Sequence, residues 1–96
     1  MEQSLRTKLE AELAVVGWRD LRQHAARGAL FLVQGELSVV EATLAVAQDD
    51  SASVQAWLKI GALVRPSSEQ LAAWEGELDR EFEYLIAQPF VIARLC

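Results

Sequence analysis

At 96 residues, with a net charge of −5 and 52% hydrophobic content, the chain suits one domain spanning residues 1–96, because so short a chain cannot bury two separate cores. The negative charge argues against nucleic-acid binding, which depends on lysine and arginine neutralising phosphates. No apolar run approaches the roughly 18–20 residues needed to cross a bilayer, and the leading MEQSLRTKLEAE lacks the apolar centre of a signal peptide, so a cytoplasmic protein without a membrane partner is expected.

Fifteen alanines inflate the apolar fraction and point to a helix-rich core anchored by Trp18, Trp57 and Trp74. In chain order, Leu5, Leu9, Leu13 and Val16 stand at helical spacing behind a candidate cap at Ser4, and Trp18, Leu21 and Ala25 continue the stripe to Gly28. Gly17 in that run costs a helix about 1 kcal/mol, so one bent helix or two short ones are expected. Ala29 to Val33, bounded by Gly28 and Gly35, reads as a strand buried on both faces.

Ser38 stands three residues before Glu41, the spacing at which each side chain satisfies a backbone N–H of the other. The helix that follows is apolar nearly all round from Val39 to Ala47, interrupted only by Glu41 and Thr43, and such a helix is buried. Asp49-Asp50 breaks it. Asp50, Ser51 and Ser53 cap a second helix whose Val54, Trp57 and Leu58 share one face, and Gly61 stops it. Ala62 to Arg65 is a brief extended segment ended by Pro66. Ser67 and Gln70 then hold capping-box spacing for a helix that buries Leu71, Trp74 and Leu78, with Gly76 as an early stop.

From Phe82 to Leu95 a helix as far as Ala87 competes with an extended chain kinked or bulged at Pro89. The aromatic and β-branched content favours strand from about Leu85, paired with Ala29–Val33. The architecture expected is α+β, four or five helices packed on a two- or three-stranded sheet.

Chemistry is harder to find. Asp49 and Asp50 adjoin as catalytic or Mg²⁺-binding carboxylates sometimes do, yet no further oxygen ligands stand at fixed spacing, and helix capping accounts for the pair. His24, the sole histidine, forms a small basic cluster with Arg22 and Arg27 that suits an anion, but a surface or structural histidine is the simpler reading. The tryptophans are core residues by position, although tryptophan is also enriched at interface hot spots. The run Glu75, Glu77, Asp79, Glu81, Glu83 reads as a solvated face. The sequence contains no glycine-rich phosphate loop, no G-x-S-x-G and no H-E-x-x-H, and no nucleophile–base pair or metal set can be named, so it leans away from an enzyme and implies no cofactor. Cys96, the lone cysteine, cannot form an internal disulfide and is expected to be free and frayed.

The landmarks Trp18-x-x-Leu21-x-x-His24-x-x-Arg27, Ala29-Leu30, Asp49-Asp50, Val54-x-x-Trp57, Pro66-x-x-Glu69-Gln70-Leu71-x-x-Trp74 and Leu85-Ile86-x-Gln88-Pro89-Phe90-Val91 span nearly the whole chain. In order and spacing they resemble the small bacterial protein family catalogued as domain of unknown function 2288. The resemblance implies a short stand-alone cytoplasmic protein and carries over no catalytic residue.

The charge is uneven: residues 1–28 sum to +1, residues 29–68 to −2 and residues 69–96 to −4. With more apolar surface than so short a chain can bury, this favours an interaction module that self-associates or binds another protein. The alternative is a pocket for a small molecule or anion lined by His24, Arg27 and the Asp49-Asp50 corner. Trp18, Trp57 and Trp74 complete the candidate binding residues.

Overall fold

The four residues Leu30–Val33 (β2) show how the molecule is layered, because alternate side chains enter the apolar clusters on opposite faces of a single sheet. The computed structural model describes residues 2–96, with side chains from Ser4 onward. Leu30 and Leu32 pack with Trp18, Leu21, Trp74, Phe82, Val91 and Ala93 on one face of a sheet. Phe31 and Val33 join Leu9, Val40, Leu44, Leu85 and Ile92 on the other. The period-two alternation of a strand makes this division possible.

The elements in order are α1 (Glu2–Glu12), β1 (Ala14–Gly17), α2 (Trp18–Ala26), β2, α3 (Val39–Ala47), α4 (Ser51–Ile60), β3 (Leu63–Val64), α5 (Ser68–Glu75), β4 (Glu81–Ala87) and β5 (Phe90–Leu95). The described residues thus form an α+β fold of five helices and a five-stranded mixed sheet ordered β1-β4-β5-β2-β3. As the sequence suggests, β2 pairs with the tail, and it does so in parallel, Leu30 opposite Val91 and Leu32 opposite Ala93. The remaining pairings are antiparallel. Helices α2 and α5 supply residues to the core of Trp18 and Phe82, and α1, α3 and α4 cover the opposite face.

Two strands exceed the sequence expectation. The helical stripe from Leu5 ends at Glu12, and Ala14–Gly17 pairs with Glu81–Tyr84 instead of continuing the helix to Val16. The β-branched Val15 and Val16 suit this outcome. The tail becomes strand at Glu81, four residues before Leu85, and neither a helix to Ala87 nor a bulge forms. Gln88 and Pro89, joined by a cis peptide bond, are the two-residue turn between the paired Ala87 and Phe90. Of the acidic run, Glu81 and Glu83 lie on one side of β4, whereas Glu75 ends α5 and Glu77 and Asp79 fall in the turn region between them. The backbone of Cys96 is not frayed: its N–H donates to the Glu81 carbonyl at 3.0 Å, while its thiol is exposed and free.

The helix caps at Ser38, Asp50 and Ser67 follow the sequence, whereas Ser4, the candidate cap of the first helix, lies inside α1, which already runs from Glu2. Ser67 and Gln70 complete a reciprocal capping box. Ser38 accepts from the Glu41 N–H at 3.0 Å, but the Glu41 carboxylate turns to the Ser38 hydroxyl and not to its backbone, so only half of that box forms. Helix α3 is buried as expected, and Thr43 is buried with it, its hydroxyl without a partner among the described residues. An unpaired buried hydroxyl costs free energy, so Thr43→Val, of nearly the same shape, is expected to raise stability by about 1 kcal/mol in urea unfolding. A lower stability would mean that the hydroxyl is satisfied.

The loop between β2 and α3 is tied to the sheet by Arg94. Its guanidinium donates to the Leu37 carbonyl at 3.0 Å and to that of Gly35 at 2.6 Å. Gly35 itself has φ +63, a left-handed conformation for which glycine lacks the steric cost of a side chain.

Candidate functional site

Helix α4 is the least covered element, and its ends are firmly specified. The Asp50 carboxylate accepts from the Ser53 N–H at 3.2 Å and from the Ser53 hydroxyl at 2.7 Å. Gly61, at φ +79, closes the other end, and the Ala62 N–H donates to the Trp57 carbonyl at 2.9 Å. Between these caps none of the ten residues is buried. Val54 and Trp57 are half-buried against the core, whereas Leu58 is 43% exposed and Ile60 75%. The sequence stripe placed Leu58 on the buried face. In the structure α4 overlies the β2–β3 side of the sheet, and Leu58 is left at its rim.

A cleft runs along each flank of α4. The first, of about 390 Å³, lies between α4 and the sheet and is walled by Phe31, Val54, Leu58, Leu63, Phe90 and Ile92. Phe31 and Phe90 meet edge to face with centroids 5.7 Å apart. Asp49, Asp50 and Ser51 stand along its rim. The second, of about 560 Å³, is bounded by Trp57 and Ile60 on one side and by Gly35, Glu36 and Glu41 on the other. Both clefts are therefore edged by carboxylates. The Arg65 guanidinium sits 5.1 Å from the Phe31 ring centroid, and Lys59 is exposed in the last turn of α4.

The sequence candidates separate into three places. Trp18 and Trp74 are core residues, 1% and 6% exposed, packed against each other and against Phe82 in tilted and edge-to-face contacts. The Trp18 indole N–H donates to Glu75 at 2.8 Å, and Arg22 pairs with the other oxygen of that carboxylate. Trp57 lines the second cleft. His24 lies in the last turn of α2 and Arg27 at its C-cap, and α2 packs on the Trp18 face of the sheet, while Asp49 and Asp50 edge a cleft on the opposite face. The sheet stands between them, so the pocket combining His24, Arg27 and the acidic corner does not assemble. Among the described residues no group of three His, Cys, Asp or Glu side chains is placed to hold a metal ion, and no helix is long and apolar enough to cross a membrane.

The family described as "Protein of unknown function (DUF2288)" matches residues 4–94. The chain belongs to this family. The DUF2288 fold described here is similar to that of PA1075 from Pseudomonas aeruginosa, solved by NMR in solution. The two share 34% sequence identity and a TM-score of 0.79, over 96% of this chain and 84% of that one. No curated protein matches the sequence.

Ile60, Lys59, Phe31 and Phe90 are the site residues of this DUF2288 chain that sequence reasoning missed. Only Ile60 carried a signal, a large apolar residue off the Val54–Trp57–Leu58 face and next to the terminating glycine. Asp49 has the positive φ of 55°, a left-handed conformation that aspartate tolerates better than most residues. It turns the chain sharply from α3 into α4 and leaves its carboxylate exposed.

Hydrogen bonds from the Ser53 hydroxyl and then from its N–H lower the Asp50 pKa below its ordinary 3.8. A folded-state value below the unfolded one means that the stabilisation is present above pH ~4 and is lost as pH falls through the folded pKa. Asp50→Asn, which still accepts the capping bond, is therefore expected to flatten the acid limb of the melting-temperature profile. An unchanged profile would show that this cap does not contribute to it.

Proposed function

We propose that this protein is a small cytoplasmic interaction module that self-associates, with α4 and its two clefts as the contact surface. The observation that carries the reading is a ten-residue capped helix with no fully buried side chain, which presents Leu58 and Ile60 to solvent. Apolar surface bordered by polar groups is the usual mark of a protein contact. The acidic rims of the clefts disfavour an anionic ligand there, and the separation of His24 and Arg27 from the Asp49-Asp50 corner speaks against a composite anion pocket.

The first cleft has the size and apolar walls suited to a small apolar molecule, which favours a second reading. Sedimentation velocity distinguishes the two. The interaction module predicts a concentration-dependent dimer that the double substitution Leu58→Ser, Ile60→Ser reduces to monomer with its circular dichroism unchanged. A wild-type monomer at high micromolar concentration, with a metabolite-sized extra mass in native mass spectrometry, would favour the small molecule.

A further inference from the structure

We propose that two copies pair through α4 in antiparallel orientation about a two-fold axis, with Lys59 of each copy set against Asp49 of the other. The inference rests on the self-association reading and specifies its geometry. The exposed face of α4 centres on Ala52, Gln55, Ala56 and Lys59, and the two alanines, one helical turn apart, let a second helix approach closely. Its charges lie at opposite ends. Asp49 and Asp50 precede the first turn and Lys59 is in the last, so a parallel pair would set like charges together, whereas an antiparallel pair sets each ammonium against a carboxylate. The helix dipoles favour the same arrangement. Asp50 is already engaged in its cap, which leaves Asp49 as the carboxylate to meet Lys59.

A two-fold axis perpendicular to α4 keeps like flanks together. Leu58, on the flank of the first cleft, then comes over the Ser51 end of the same cleft in the second copy, among Val54, Phe31 and Phe90. A helix of ten residues is only about 15 Å long, and a stable interface takes roughly 800 Å² from each partner. The rims of both clefts therefore share the contact.

The test is a charge-reversal cycle read by sedimentation equilibrium. Lys59→Glu is expected to weaken dimerisation by about tenfold or more, and Asp49→Lys with Lys59→Glu to restore most of the loss. Asp49→Asn, which suits the left-handed backbone, provides a second single variant should Asp49→Lys perturb the corner, and it is expected to weaken the dimer too. If neither single variant alters a dimer that Leu58→Ser, Ile60→Ser abolishes, the α4 interface stands and the antiparallel pairing is refuted. The pairing is equally refuted if the reversed pair dimerises no better than Lys59→Glu alone. A wild-type monomer overturns the interface and the pairing together.

Discussion

Trp18→Ala is expected to cost about 3–5 kcal/mol, the largest loss expected of any single truncation in this fold. Trp18 is 1% exposed, and its ring lies 5.1 Å from that of Trp74 and 5.8 Å from that of Phe82. Through these contacts it joins the start of α2 to α5 and to β4. Its indole N–H is paired with Glu75, so truncation opens a cavity and also removes a partner from a carboxylate that Arg22 shares. A domain of this size has about 5–15 kcal/mol in total, and the expected fall in melting temperature is on the order of 20 °C. Trp18→Phe fills most of the volume and should lose clearly less. A loss below about 1 kcal/mol for the alanine variant would show that the aromatic cluster does not anchor the two helices to the sheet.

Gly17→Ala is expected to destabilise by about 1–3 kcal/mol, although alanine is the better helix former. Read as part of a helix, Gly17 predicts the opposite sign, a gain of about 1 kcal/mol. The structure places Gly17 at the end of β1, where a Cβ would meet the Leu78 carbonyl oxygen at 2.9 Å. That oxygen is backbone and accepts from the Arg19 N–H at 3.0 Å, so it cannot yield without disturbing the first turn of α2. Chemical unfolding of the single variant decides between the two by sign alone.

Gly17 also shows where local sequence reasoning stops. Leu5, Leu9, Leu13 and Val16 fit a helix by spacing, and nothing nearby contradicts it. What makes Ala14–Gly17 a strand is its pairing with Glu81–Tyr84, more than sixty residues later. The signal for β4 was present in the alternation of Glu81 and Glu83 with Phe82 and Tyr84, but it merged with an acidic run that spans a helix end and a turn. Local chemistry was read more faithfully. The caps at Ser38, Asp50 and Ser67, the stop at Gly61 and the pairing of Ala29–Val33 with the tail all depend on residues whose requirements are short-range or whose burial on both faces leaves few alternatives.

The site was legible only in part. The acidic corner and Trp57 border the α4 clefts, but Trp18 and Trp74 are core, and His24 and Arg27 lie across the sheet from Asp49 and Asp50. Spacing along a chain does not say which face of a sheet a later helix will cover. Nor does it say that a capped amphipathic helix will stop short of burying its own stripe, as Leu58 does.

Whether α4 brings two copies together is decided by sedimentation velocity of the wild type across the micromolar range, beside Leu58→Ser, Ile60→Ser. A dimer that grows with concentration is expected in the wild type, and a folded monomer in the variant. A wild type that stays monomeric throughout, or a variant that dimerises equally well, would contradict self-association through α4.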